Sequence, residues 1–525
     1  MPARITTVAF EGAEARRVEA EVVLTKGPVA FSVVGLGDKA VAESRERVRG
    51  AFAGVGLSLP GGKRIVANLS PADLPKEGTH FDLPIALAMM IVMGILPEDA
   101  LNEYVVLGEL KLDGSIAPVA GALPAAIAAS SYGMGLICPF DNGPEAAWAG
   151  DVKILAPRSI IALINHFKGH FVLEPPVRGK RAEPHKAMDL KEVKGQEVPK
   201  RALEIAAAGG HNLLFVGPPG SGKSMLAQRL PGILPSMSNL ELLETSQIWS
   251  MAGLIARGEL TNERPFRAPH HSASMAALTG GGVRAKPGEM SLAHNGVLFL
   301  DELPEFSPQA LDSLRQPLET NEIVVARANH HIKYPARVQL VAAMNPCKCG
   351  HGGVGRGSCG KAPRCLKDYQ GRVSGPLMDR IDLQIDVPAV TAMDMALPAP
   401  AEGSDEVRLR VESARQLQAE RAHRLDLAPG NALNATAHGS GLEQICNLDP
   451  TAKTLLTQAA QQTGLSARGW TRTLRLARTI ADLEQSGSVL RRHVAEALVY
   501  RRTGPFNEDS PAGFAQAPVH ASSRL

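Results

Sequence analysis

Three short runs in the middle of the chain are apolar at nearly every position: Asn212–Val216, Gly296–Leu300 and Val338–Met344. A strand with one wet face alternates apolar and polar residues, whereas a strand covered on both faces reads as a continuous apolar run. With helical stretches between them, these runs predict a parallel sheet sandwiched by helices over about 190–388, an α/β domain. Beyond Pro398-Ala-Pro-Ala-Glu-Gly403 the period changes. Asp405–Arg424, Pro450–Gly464, Ala467–Glu484 and Leu490–Arg502 read as helices, giving a helical C-terminal domain over 402–502. Residues 1–170 mix strand-like runs (Ala20–Leu24, Ala30–Val34, Arg64–Ala67) with helical stretches (Asp38–Gly54, Asp82–Met93). There Val105–Leu110, followed by Asp113-Gly114, reads as a strand entering a hairpin turn, and the whole is an α+β domain. The polar, proline-bearing stretch around Glu174–Met188 predicts a linker over 171–189. The Ala-, Ser- and Pro-rich residues 503–525 predict a disordered tail.

Composition narrows the class. The chain has 525 residues, 44% hydrophobic and 21% charged, ordinary for a soluble globular protein of several domains. Its net charge of +3 creates no strong global field, so a nucleic-acid partner is neither demanded nor excluded. Aromatics are only 4%, so platforms for stacking bases are few. The N-terminus carries no secretory signal. The most apolar window, Leu83–Leu96, contains Pro84 and Gly94 and is too short to span a bilayer. The expectation is a cytoplasmic protein with no membrane partner.

The first apolar run leads directly into Gly217-Pro218-Pro219-Gly220-Ser221-Gly222-Lys223-Ser224, with a helix signal at Met225–Leu230 behind it. This matches G-x-x-x-x-G-K-[ST] at every fixed position. Glycines let backbone N–H groups converge on phosphate oxygens, Lys223 reaches the terminal phosphates, and the Ser224 hydroxyl ligates magnesium. The cofactors expected are therefore ATP and Mg2+. The second run ends in Asp301-Glu302, acids at the carboxyl end of a buried strand, where open α/β sheets bind ligands. Asp301 would hold magnesium and Glu302 would orient or deprotonate the attacking water. The alternative is a plain strand end. The third run ends at Asn345, either a polar amide near the γ-phosphate or a turn former before Pro346. Arg380 lies between Asp379 and Asp382. It reads either as a finger supplied to a neighbouring subunit's ATP or as a local ion pair. Arg468, Arg472 and Arg475 share one helix face, which either touches the γ-phosphate or is a solvated basic face.

Four of the six cysteines fall within nineteen residues: Cys347, Cys349, Cys359 and Cys365. Four thiolates suit tetrahedral Zn2+, and the glycine-rich stretch between them can fold around an ion, with His351 able to replace one thiol. Reduced, unligated thiols are the alternative.

The phosphate loop and the Asp301-Glu302 strand, with Arg264–His271, Lys286–His294, Asp301–Phe306 and Ala343–Cys347, resemble the YifB/ComM group of magnesium-chelatase-like AAA+ ATPases. Val33–Leu36, Ala40–Val48 and Leu69–Gly78 resemble that group's N-terminal domain. The resemblance implies an AAA+ P-loop NTPase core, a helical C-terminal lid and an N-terminal Lon-protease-like α+β domain. It implies Asn345 as the sensor on the sheet, Arg380 as the arginine finger, and Arg468 as the lid sensor with Arg472 as second choice. Two insertions, Arg264–His294 placed in the second helix and a hairpin before the sensor strand near Glu322–Tyr334, would line the pore of a homo-hexamer. The hairpin carries Arg327, His330, His331 and Lys333 for phosphate contacts. Leu74–Phe81 and Leu107–Gly114 resemble segments of the Lon-type protease fold, but His80 stands where the nucleophilic serine belongs, and no lysine lies near Val119–Leu123. Since a Ser–Lys dyad needs both members, a non-proteolytic module is implied. The function implied is a DNA helicase promoting branch migration in natural transformation, acting on branched or single-stranded DNA with little sequence preference. A chelatase motor that inserts magnesium into a porphyrin and a protein-remodelling ATPase are the competing readings.

Overall fold

The computed structural model describes residues 2–35, 37–182, 188–281, 286–327, 330–350, 359–398, 400–427 and 432–500. The tail at 503–525 therefore lies outside the described residues, as do 183–187 of the linker. In the N-terminal domain β1 (Ala3–Glu11) and β2 (Glu14–Lys26) form an antiparallel hairpin. On β2 Val18, Ala20 and Val22 are buried and alternate with Glu19 and Glu21. On β1 the run Thr7, Val8, Ala9 is buried on both faces, which erases the alternation and hides this strand from the sequence pattern. β3 (Ala30–Val34), β4 (Lys63–Ser70) and β5 (Tyr104–Val106) follow. β6 (Glu109–Leu110), β7 (Ile116–Ala117), β8 (Gly135–Ile137) and β9 (Ile154–Leu155) complete the domain. Seven of these strands make one mixed sheet in the order β3-β4-β2-β1-β5-β8-β9.

The strand expected over Val105–Leu110 is two strands. At Gly108 the chain leaves the large sheet, because its backbone bonds instead to the His80–Leu83 segment (Gly108 N–H to His80 O, 2.9 Å; Leu83 N–H to Gly108 O, 3.0 Å). A side chain at Gly108 would press on Leu83 and Ile116 at 3.0 Å. Only β6 continues into the hairpin with β7, through a turn at Asp113-Gly114.

The ATPase sheet is built from β10 (Leu213–Val216), β11 (Phe266–Arg267) and β12 (Val297–Leu300). A separate hairpin of β13 (Glu322–Arg327) and β14 (His330–Pro335) follows, then β15 (Gln339–Met344) and β16 (Leu383–Asp386). The five sheet strands are all parallel, in the order β11-β12-β15-β10-β16. Every residue of β12 and β15 is buried, in keeping with their nearly continuous apolar runs, and the polar Gln339 of β15 is satisfied by donating to Ala206 O at 2.9 Å and His211 O at 2.8 Å. β16 alternates Leu383 and Ile385 inward, and β11 is two residues long, so neither announces itself in sequence. β11 also shows that Arg264–His294 is not simply an insertion within a helix: the segment follows the helix Asn239–Ala252 and contributes an edge strand of the sheet. The helix expected over Met225–Leu230 is shorter and begins earlier, at Lys223–Ala227.

The C-terminal helices are Ser404–Arg424, Gly439–Cys446, Pro450–Thr463, Ala467–Leu483 and Arg491–Val499. The second begins Gly-Ser-Gly, poor helix formers, and is held by burying Leu442, Ile445 and Cys446. This domain is not a loose appendage. Its core is continuous with one face of the sheet and with the helix Glu197–Gly209. Polar bonds pin it there: His211 Nε2 to Thr479 Oγ1 at 2.8 Å, and Gln418 Nε2 to Ala208 O at 3.0 Å. The linker, too, is bonded rather than free, with Gly179 N–H on Pro144 O at 3.0 Å and Ala182 N–H on Leu260 O at 2.8 Å. No helix among the described residues is long and apolar enough to cross a membrane.

A carboxylate with an arginine partner is buried in the N-terminal core. Asp82, in the first turn of the helix Asp82–Val92, is wholly covered, and Arg47 grips it with two bonds of 2.6 and 2.9 Å. Burial raises the Asp82 carboxyl's pKa, and the bonds from Arg47 and Ser44 only partly offset it. Arg47→Ala would leave a buried carboxylate without its counter-ion, a loss of ~3–5 kcal/mol at neutral pH. Because the folded pKa is already above the unfolded one, and rises further in the variant, the deficit should shrink as acid protonates Asp82. Urea unfolding across pH, read by hydrogen exchange in that helix, checks this; a deficit independent of pH would contradict it.

Candidate functional site

β10 ends at Val216, and Gly217–Gly222 turn the chain into the helix Lys223–Ala227. Gly220 and Gly222 adopt φ of +74° and +89°, a left-handed backbone that favours glycine. Lys223 curls over this loop. Its Nζ donates to Gly217 O at 2.8 Å, Pro218 O at 2.9 Å and Asn345 Oδ1 at 3.2 Å. Burial lowers the Lys223 pKa, against the opposing pull of Asp301 and Glu302. A buried ammonium drawn to three oxygens is a cation poised for an anion of higher charge. Ser221 Oγ lies fully buried inside the loop, with no hydrogen-bond partner among the described residues.

The end of β12 meets the same helix. Ser224 Oγ donates to Asp301 Oδ2 at 2.5 Å, and Asp301 Oδ1 accepts from the Glu302 N–H at 2.9 Å. A hydroxyl and a carboxylate in contact form the hard-oxygen pair that Mg2+ takes. Glu302 sits at φ +51°, strained for a residue with a side chain, which turns its half-exposed carboxylate out of the strand end. There it stands 3.2 Å from His271 Nδ1. Thus Lys223, Ser224, Asp301, Glu302 and Asn345 gather at the carboxyl ends of three adjacent strands.

Arg380 and Arg468 lie elsewhere. Asn212, which enters β10, donates from Nδ2 to Arg380 O at 2.8 Å and accepts from Leu340 N–H at 2.8 Å, so Arg380 stands at the amino ends of the strands. The length of β10 alone puts about 10 Å between the two edges. The Arg380 guanidinium bonds Arg315 O at 3.1 Å and Pro376 O at 2.6 Å and pairs with Glu319. Arg468, mostly exposed, bonds Asp379 at 3.2 Å, while Arg472 bonds Ile381 O at 3.4 Å and Arg475 bonds Ala437 O at 2.6 Å. All four arginines line one cleft of about 550 Å³. Burial pushes the Asp382 carboxyl up, but His211, Arg472 and Arg475 outweigh it and hold it ionised below the usual range. Arg468 as a lid sensor therefore does not face the phosphate loop of its own chain; the packing of the C-terminal helices carries it to the opposite edge.

The four cysteine sulfurs all lie within 4.8 Å of one another, with Cys347 Sγ and Cys349 Sγ 3.0 Å apart. Four sulfurs around one Zn2+ at Zn–S of about 2.3 Å would be about 3.8 Å apart, so the donor set fits. His351 lies outside the described residues.

Profiles described as "Magnesium chelatase, subunit ChlI", "Subunit ChlI of Mg-chelatase" and "Magnesium chelatase, subunit ChlI C-terminal" match residues 189–395, 20–142 and 401–501. The chain is 43% identical to "Competence protein ComM" of Haemophilus influenzae, over 93% of this chain and 95% of that protein. It is 42% identical to "Uncharacterized protein YifB" of Escherichia coli, over 95% and 96%. The chain belongs to the YifB/ComM family of magnesium-chelatase-like proteins. A "Magnesium-chelatase 38 kDa subunit" of Rhodobacter capsulatus is 26% identical over 33% of this chain and 54% of its own. The architecture of the YifB/ComM chain, a parallel AAA+ sheet with a helical C-terminal region, agrees with that membership.

Two site residues were not singled out from sequence. His271, within the Arg264–His271 segment, stands beside Glu302; its only signal was the His270-His271 pair, whose ring centroids lie 4.0 Å apart with the rings tilted by 34°. Gln196 adopts φ +58° and bridges Ser221 O at 3.4 Å to Pro388 O at 2.8 Å, tying the loop to the exit of β16. Glu302→Gln keeps the shape of the side chain and removes its basicity. We expect ATP to bind with wild-type affinity and turnover to fall by about 10² or more. Loss of binding along with turnover would make Glu302 a structural residue.

Proposed function

We propose that this YifB/ComM chain is an ATP-hydrolysing AAA+ motor that works as a ring of identical copies, a homo-hexamer, on DNA. The observation that carries the reading is the division of the site. Lys223, Ser224, Asp301, Glu302 and Asn345 occupy one edge of the sheet, and Arg380 with Arg468 and Arg472 the other. Lys223 is the loop's own cation for the terminal phosphates, and the arginine that would meet charge developing on the γ-phosphate lies at the other edge of the same chain. In a head-to-tail ring the arginine edge of one copy faces the phosphate loop of the next, a heterologous contact that closes by rotation. Arg380 would then exchange Glu319 for the neighbour's phosphate, and Arg468 or Arg472 would approach it from the lid.

In that assembly Lys223 neutralises the terminal phosphates and Ser224 with Asp301 holds magnesium, which supplies charge neutralisation when bound. Glu302, oriented by His271, takes a proton from the attacking water, and Asn345 fixes its position. For the N-terminal domain we infer a non-proteolytic role: His80, standing where the resemblance places the serine, is buried between Phe10 and Phe81 and bonded through Nε2 to Val8 O at 2.9 Å, and burial lowers its pKa to about 4. We read the four cysteines as a zinc site.

The DNA reading, a helicase promoting branch migration during natural transformation, is supported by likeness to a competence protein along nearly the whole chain. The chelatase subunit, by contrast, matches about a third. The β13–β14 hairpin offers Lys333, two-thirds exposed, as one phosphate contact. Arg380→Ala and Lys223→Ala should each bind or hydrolyse poorly alone, and mixing them should restore part of the turnover, because some interfaces regain both groups. Failure to complement returns Arg380 to a local ion pair. Forked DNA should stimulate wild-type turnover, with affinity falling steeply as salt rises. Stimulation by a porphyrin instead of DNA would favour the chelatase reading.

A further inference from the structure

The cysteine cluster is not remote from the phosphate loop. It begins two residues after Asn345, whose amide oxygen accepts from Lys223. Gly350, next to Cys349, packs against Pro219 in the middle of the loop. A Cβ built on Gly350 would stand 2.7 and 2.8 Å from the Pro219 ring, and its φ of +83° already excludes most side chains. The other two cysteines come from the far side. Cys365 lies on the helix Arg364–Gln370, and Gln370 at that helix's end donates to Pro346 O at 2.8 Å. Just beyond it, Arg372 pairs with Glu305 at 3.2 Å, three residues from Glu302.

The cluster thus ties together the end of β15, the middle of the phosphate loop and the segment after Glu302. A van der Waals approach, single hydrogen bonds and a partly exposed ion pair link these segments, each weak alone. A tetrahedral metal bound to four sulfurs is a cross-link of a different order, since its binding free energy becomes folding free energy of the segment that holds it. A sulfur-only donor set selects zinc over magnesium or calcium.

We propose that these four cysteines form a metal-held clamp on the nucleotide site. Zinc bound by Cys347, Cys349, Cys359 and Cys365 seats Gly350 on Pro219 and fixes Asn345, and metal occupancy thereby sets the affinity for ATP. The inference rests on the two readings above, the zinc site and the phosphate loop. Zinc supplies the cross-link and takes no part in hydrolysis.

The test uses the full chain, purified without chelator. Metal analysis should find about one zinc per chain. A zinc-selective chelator, with magnesium kept in excess, should then weaken equilibrium binding of a fluorescent ATP analogue by about tenfold or more. Far-UV circular dichroism should be unchanged, and added zinc should restore affinity. Gly350→Ala should retain its zinc yet bind ATP more weakly, because it spoils the contact without touching a ligand. Zinc-free protein that binds ATP as tightly as the loaded form overturns the clamp while leaving the zinc site standing. So does a Gly350→Ala variant of wild-type affinity. A chain that holds no zinc and shows four titratable thiols overturns both the zinc reading and the clamp. A zinc-loaded chain that does not bind ATP overturns the phosphate-loop reading, and the clamp with it.

Discussion

All five strands of the ATPase sheet run the same way, and this constraint shapes everything else in the molecule. A parallel sheet has two chemically distinct edges. At the carboxyl ends, loops open outward and the next helix presents its N–H groups, so an anion can be held there. At the amino ends the chain arrives from helices and must be pinned, a task Asn212 performs by bonding both Arg380 O and the Leu340 N–H. Phosphate chemistry and arginine chemistry are thereby placed on opposite sides of one rigid element. No side-chain rotation joins them within a chain.

The surrounding domains reinforce this geometry. The C-terminal helices share a core with the sheet's outer layer and set Arg468, Arg472 and Arg475 around the same cleft as Arg380. The N-terminal domain is seated on the ATPase domain through several contacts. Ala13 packs with Ile248 and Leu292, and the buried Glu145 carboxyl, raised in pKa by desolvation, accepts from Ser250. At Gly12 the β1–β2 turn lies so close to Lys333 O that a Cβ would stand 2.1 Å away. The β13–β14 hairpin therefore abuts the N-terminal domain directly.

Much of this was legible in the chain. The phosphate loop, the Asp301-Glu302 strand end and Asn345 could be read because each closes a nearly continuous apolar run, the common pattern of a strand buried on both faces. The N-terminal β1 could not, because Thr7-Val8-Ala9 is buried on both faces yet includes a threonine. Gly108 hid a change of sheet inside a run that read as one strand, since glycine carries no face preference. The position of Arg468 was hidden for a different reason. Spacing shows that three arginines share a helix face, but not which edge of a sheet that face will meet, and this depends on packing between segments more than eighty residues apart. His271 was likewise invisible as a partner of Glu302, since it arrives from the β11 segment.

The central claim is that one complete site needs two copies of the chain. ATP turnover per chain, measured across a wide dilution series at saturating ATP and magnesium, tests it most directly. If the arginine edge of one copy completes the phosphate loop of another, specific activity should collapse on dilution below the concentration at which rings form. It should return with concentration more steeply than in direct proportion to the protein. Specific activity that stays constant down to concentrations where sedimentation shows only single chains would contradict the account.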